Sequence, residues 1–365
     1  MIAWLKTMMK KRIMWPLGAL FVLILVNTLY RHSFLKITVL DGRFYGSLID
    51  ILRNSAPLML VSLGMCLVIA TRGIDLSVGA QMAISGAVAL TIISKSATPD
   101  SLGTVLGAIT VGVLITLLFG IWNGFLVTVV GIQPIIATLV LWLAGRGIAL
   151  LITGGKITTI NSAPYKTIAQ GNVLGFPVEF LIALVAIIVV ALTVRRTALG
   201  VLTEAIGINP AASRLAGVRS RGIIWSLYGL SGLLAGVAGI LYSSNIMAAD
   251  SNAAGANIEL DAILAVVLGG TSLAGGKFSL GGTVVGVFII QTLVSTVTFL
   301  GVPSSSVPVF KAAVVILVVV SQAPMVRNWL RRVGPKILSW FRRRFGSSKT
   351  ASPTATPVAM ERTAA

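Results

Sequence analysis

The sequence predicts an all-α, polytopic integral membrane protein of about ten transmembrane helices in two related halves. Three observations carry that reading. Hydrophobic residues make up 56% of the chain and charged residues 11%, against about a quarter charged in a soluble domain. Apolar runs recur that can cross a hydrocarbon core about 30 Å thick, which takes about 20 helical residues. A polar, glycine-bearing break also occurs twice between such runs. It reads TRGIDLSVGA at 71–80 and is answered by GKFSLGG at 276–282. At constant offset Leu76-Ser77-Val78-Gly79-Ala80 meets Phe278-Ser279-Leu280-Gly281-Gly282, and Asp75 falls on Lys277. Paired breaks of this kind mark a transporter built from related halves.

The segments follow in order. Residues 14–30 come after a basic start, and no small-residue cleavage site follows them, so they read as a retained first helix. Residues 48–70 form the second, punctuated by Arg53, Asn54 and Pro57. After the first break come 78–94, 102–123 and 134–153, the last carrying Arg146. Residues 180–194 precede a long basic loop at 195–221, and 223–243 follow it. The run 260–273 is short and ends at the second break, and 280–300 and 307–323 complete the bundle. Residues 1–13 and 324–365 flank this 14–323 membrane domain as basic ends, and the Ser-, Thr-, Ala- and Pro-rich composition from 346 onward predicts a disordered tail.

The net charge of +19 is confined largely to residues 6–12, 195–221 and 327–349. Lys and Arg gathered beside apolar segments are the positive-inside signal, which predicts both termini and the 195–221 loop in the cytoplasm. No soluble domain exists to carry a nucleic-acid patch, so nucleic acid is not an expected partner. The connection after the seventh segment carries Asp250, Glu259 and Asp261 without Lys or Arg, which suits the outside. Arg31, Lys36 and Arg43 after the first helix fit the rule less well. The same parity places both breaks toward the cytoplasmic side.

Enzyme chemistry finds little support. The single Cys66 and single His32 exclude an internal disulfide and argue against a metal centre. The scattered carboxylates form no catalytic pair, and one His cannot build a nucleophilic triad. Gly276-Lys277 and Gly155-Lys156 both fail as phosphate-binding loops. Thr271 and Leu150 stand where the first glycine belongs, and Phe278 and Ile157 where Ser or Thr must bind magnesium. If ATP drives transport, a partner polypeptide hydrolyses it.

Two sets of residues are candidates for function. In the basic loop, Asn209 can cap a short helix with Pro210 at its first position, and Gly217 can end it. Such a helix is suited to docking in a partner's groove; a solvated positive-inside loop is the plainer reading. Within or near the spans lie Asp75, Arg72, Asn54, Asn123, Gln133, Arg146 and Gln291. A charge at the bilayer centre costs about 3 kcal/mol or more, so it faces a cavity or a partner. For Arg146 the alternative is snorkelling to the outer interface, and for Asp75 a helix cap or turn. Asn123 and Gln291 also suit interhelical hydrogen bonds, and the glycines of 229–239 close packing.

TRGIDLSVGA, the loop EAIGINPAASRLAGV and the stretch LDAILAVVLGGTSLAGGKFSLGGTVVGVFIIQTL resemble the permease subunits of bacterial ribose-type sugar ABC importers. Within that group, DGRFYGSLIDIL at 41–52 and LAGRGIALLITGGKI at 143–157 are most similar to the galactofuranose permease. The resemblance covers roughly residues 41–322. It implies an inner-membrane subunit that pairs with itself or a sister permease, docks ATP-binding cassette subunits inside and receives sugar from a periplasmic binding protein. It also implies that Glu204, Ala205, Asn209, Pro210, Arg214 and Gly217 couple the bundle to the ATPase. Ile206 departs there from the Glu-Ala-Ala start of the wider importer consensus.

The resulting expectation is a non-enzymatic permease of a sugar importer working by alternating access. No cofactor is expected in this chain, with ATP and magnesium on the partner. Asp75 and Lys277 are expected at two equivalent hinges or gates. An ion-coupled secondary transporter is the alternative, with Asp75 as its coupling carboxylate; a membrane enzyme on lipid substrates would need an acid or metal cluster that the sequence lacks.

Overall fold

The computed structural model describes residues 14–40 and 42–322. The basic N-terminal stretch and the tail lie outside the described residues. Helices α1 (Met14–Tyr30), α2 (Ser47–Ala70), α3 (Val78–Lys95), α4 (Leu102–Phe125) and α5 (Pro134–Thr153) form the first half. A π-turn at Leu126–Val130 extends α4 and ends at Gly131, which is left-handed. The rest comprises α6 (Ala163–Gln170), α7 (Val178–Arg196), α8 (Leu199–Ile208), α9 (Pro210–Leu215), α10 (Ser220–Ile246), α11 (Ile258–Leu268), α12 (Leu280–Phe299) and α13 (Val307–Gln322). Three antiparallel two-stranded ribbons decorate the connections: β1 (Thr38–Leu40) with β2 (Arg43–Tyr45), β3 (Thr158–Thr159) with β6 (Ala248–Ala249), and β4 (Asn172–Val173) with β5 (Phe176–Pro177).

Among the described residues, seven helices are long and apolar enough to cross a membrane: α2, α3, α4 with its π-turn, α5, α7, α10 and α12. They divide by burial. Of the most apolar stretch of α2 and of α3, 78% is buried, against 28% for α4 and α5 and 22% for α7. So α2 and α3, with α10, form the centre, and α4, α5 and α7 expose apolar faces suited to lipid.

The centre packs through small residues. A methyl group on Gly232 of α10 would strike the Thr116 carbonyl and the backbone of Gly120 in α4, and one on Gly239 would strike the backbone of Met82 in α3. Helices that close approach to backbone contact, which compensates for the absence of a hydrophobic drive between helices in lipid. The close-packing reading of 229–239 is what the structure displays.

Each of the ten anticipated segments holds a helix among the described residues, and the eighth is much shorter than anticipated. The run 260–273 is the helix Ile258–Leu268, whose 11 residues span roughly 16 Å at about 1.5 Å per residue. Left-handed Asn257 precedes it and Gly269-Gly270 stop it. The apolar run 262–268 passes into small residues that resemble a span in hydropathy but cannot continue a helix. The count of about ten is therefore approximate.

Candidate functional site

The first break turns the chain sharply between α2 and α3. The amides of Thr71 and Gly73 both donate to the Val68 carbonyl, and the Arg72 amide to Ile69. Arg72 takes φ 67°, a left-handed conformation that an L side chain adopts only where its surroundings hold it. Asp75 then organises the start of α3. Its Oδ1 accepts from the Ser77 amide at 3.1 Å and the Ser77 hydroxyl at 2.6 Å, and its Oδ2 from Ser231 at 2.8 Å. Gln81 Nε2 and Asn123 Nδ2 both donate to Ser77 Oγ, at 2.7 and 2.8 Å.

All five side chains are buried, so Asp75 joins α3, α4 and α10 through hydrogen bonds and touches no solvent. The turn-residue reading of Asp75 and the interhelical reading of Asn123 describe this geometry. Ser231 lies in the middle turns of α10, which sets the acid at mid-depth of the bundle and not at one surface.

The second break has the same register and different chemistry. Ser279 caps α12, accepting from the Gly282 amide at 3.1 Å, and its own amide donates to Thr271 Oγ1 at 3.1 Å. Lys277, at the position equivalent to Asp75, is exposed and makes no side-chain hydrogen bond among the described residues. The two breaks touch: the Gly276 amide donates to the Ala70 carbonyl at 2.9 Å.

The basic loop folds as two short helices. Asn209 Oδ1 accepts from the amides of Ala211 and Ala212 at 3.1 and 3.0 Å, Pro210 occupies the first turn of α9, and Gly217 takes φ 81° past its end. This is the capping that the sequence predicted. Ala205 and Pro210 are half-buried, whereas Asn209, Arg214 and Gly217 are exposed. Glu204 lines a recess of about 320 Å³ together with Phe278, Ser279 and Leu280 of the second break. Leu215 is 90% exposed, an apolar tip presented on a polar loop.

Arg146 is held by backbone carbonyls. Its guanidinium donates to the carbonyls of Ser251, Asn252, Ala254 and Gly255 at 3.0 to 3.2 Å, pinning the segment that leads into α11. That segment enters the bundle, since Gly255 packs on Gly79 in the first turn of α3. Glu259 is correspondingly buried: its Oε1 accepts from Trp142 Nε1 at 2.9 Å while Oε2 has no partner among the described residues. Asn54 and Gln133 are exposed, Gln291 is half-buried, and none of the three makes a side-chain hydrogen bond among the described residues. The structure thus joins Asp75 to Asn123 and does not bring Asn54, Gln133, Arg146, Lys277 or Gln291 to that centre. Among the described residues no three His, Cys, Asp or Glu come together to hold a metal.

Residues 47–319 match the model of a permease family described as the branched-chain amino acid transport system / permease component. The chain belongs to this family. It is 46% identical to the galactofuranose transporter permease protein of Escherichia coli over 86% of this chain and 92% of the relative. It is 40% identical to a fructose import permease of Bifidobacterium longum (88% and 91% covered) and 36% to a ribose import permease of Bacillus subtilis (83% and 90%). No solved structure matches.

In this permease, Ser77, Gln81, Ser231, Trp142 and Glu259 escape a reading by charge and motif. Ser77 lay in plain view inside the repeated LSVGA register, where its counterpart Ser279 is a cap. Ser231 carries no local signal, because its partner Asp75 lies far along the chain, and Gln81, one helical turn after Ser77, stands in an apolar run with no motif to mark it. Glu259 ends an acidic, lysine-free connection, whose charge pattern speaks to a side of the membrane and not to a side-chain partner.

Proposed function

We propose that this permease is the membrane subunit of an ATP-driven importer of a monosaccharide, with galactofuranose the first sugar to test. The observation that carries the reading is the 46% identity to a galactofuranose permease over nearly the whole of both chains, supported by fructose and ribose permeases at lower identity. Transport proceeds by alternating access in a multi-pass protein of the bacterial inner membrane, with both termini cytoplasmic and a homodimeric or heterodimeric permease pair. A periplasmic binding protein delivers the sugar, and cassette subunits holding ATP and magnesium supply the work.

The loop at 195–221 is the docking element for the cassette subunit. Glu204, Ala205, Asn209, Pro210, Arg214 and Gly217 form it, with capped α9 and the exposed Leu215 suited to insertion in a groove. Asp75 and Lys277 mark the two gates, of which the first is latched. Reconstitution of the permease with its cassette subunit and sugar-loaded binding protein tests this. ATP-dependent uptake of the monosaccharide is expected; uptake by the permease alone along an ion gradient would make it a secondary transporter instead.

A further inference from the structure

We infer that Arg72 is the positioning residue that ties the docking element to the first break, so that movement of one moves the other. The inference deepens the proposed function and rests on it. The last carbonyls of a helix lack intrahelical partners and carry its negative pole, so a cation there is favoured. Helix α8 ends at Ile208, one residue before the Asn209 cap of α9. Arg72 fills that terminus: Nε donates to the Gly207 carbonyl and Nη2 to the Ile208 carbonyl, both at 2.6 Å. The guanidinium therefore holds the joint between α8 and α9, more than 130 residues away in the chain.

Three further facts make the tie a stiff one. Arg72 holds φ 67°, so its backbone is fixed by the turn and not by its own preference. Gly207 packs directly on the Ala70 carbonyl and on Gly276, where a side chain would collide with both. Gly275, itself at φ 83°, packs on the Arg72 side chain in the same way. The end of α2, the second break and the end of α8 thus meet in one backbone-to-backbone junction with Arg72 through it. Three residues further on, Asp75 passes the connection to Ser231 and Asn123 through Ser77. A displacement of the docking helix thus has a route to mid-depth of the bundle, through the Arg72 hydrogen bonds, the backbone from Arg72 to Asp75 and the Asp75 hydrogen bonds.

The test is the number of sugars imported per ATP hydrolysed by the full reconstituted complex. Losing two charge-assisted hydrogen bonds predicts that Arg72→Ala lowers this ratio about tenfold or more. Arg72→Lys, which keeps the charge and one bond, is expected to recover part of it, and Arg72→Gln less. A purely structural defect would reduce the amount of assembled complex, lowering uptake and hydrolysis together; an unchanged ratio in the surviving complexes overturns the inference. Arg72→Lys and Arg72→Gln are read the same way if Arg72→Ala does not assemble, and wild-type ratios in both would equally overturn it. Absence of ATP-linked uptake in the unaltered complex would instead refute the proposed importer.

Discussion

The two breaks share a register and differ in almost every interaction. At the first, an acid is buried and joins three helices; at the second, a lysine at the equivalent position is exposed and unbonded. The first follows a helix of 24 residues and the second one of 11. Duplication has evidently preserved the part that both need, a serine at the start of the next helix, and released the rest. The contrast assigns the first break as a fixed joint; in the second, Gly275 and Gly276 share that junction, and the stretch around exposed Lys277 is the compliant part.

The largest effect is expected at Asp75. Asp75→Ala leaves the hydroxyls of Ser77 and Ser231 buried without their acceptor, at about 1–3 kcal/mol for each unsatisfied group. A loss of thermal stability in detergent and at least a tenfold loss of uptake are expected, with Asp75→Asn milder because one acceptor oxygen remains. A wild-type melting temperature for Asp75→Ala would remove the fixed joint from the account.

A smaller, opposite-signed pair sits further along the same register. Gly79 and Gly281 are equivalent, but a methyl on Gly79 would meet the Gly255 carbonyl and Glu259 Oε2, whereas Gly281 is exposed. Gly79→Ala should destabilise by about 1–3 kcal/mol through overpacking. Gly281→Ala should be neutral or stabilising by up to about 1 kcal/mol, since alanine is the better helix former. Equal shifts in the two melting curves would erase the asymmetry. The smallest effect belongs to Lys277→Ala, within about 0.5 kcal/mol of wild type as for other surface changes, with normal assembly; a loss comparable to Asp75→Ala would show that both breaks carry equal weight.

Much of this architecture was legible in the sequence because membrane helices declare themselves by length and hydropathy. The bounds Met14–Tyr30 and Pro134–Thr153 follow from apolar runs closed by Arg31 and by Gly154-Gly155. The α9 cap was legible for a similar reason, since Asn209-Pro210 and Gly217 are local signals. What stayed hidden depends on contacts distant in sequence. The stopping point of α11 is set by Gly269 packing against Gly282 and Thr283 of α12. The Arg146 clamp needs carbonyls about 105 residues away, and Arg72 reaches α8 across a similar gap. Hydropathy reports how deep a residue sits, not which partner it meets there.

The division between a fixed and a compliant break is tested most directly by hydrogen–deuterium exchange on the complex in lipid nanodiscs. In the first break the amides of Thr71, Arg72, Gly73, Leu76 and Ser77 are all hydrogen-bonded, while in the second the amides of exposed Leu273 and Lys277 find no partner among the described residues, beside bonded amides at Gly270, Thr271, Ala274, Gly275, Gly276 and Ser279. Slow exchange across 71–77, with and without ATP, beside faster and ATP-sensitive exchange across 270–279 is the result expected. Faster exchange across 71–77 than across 270–279 would contradict it.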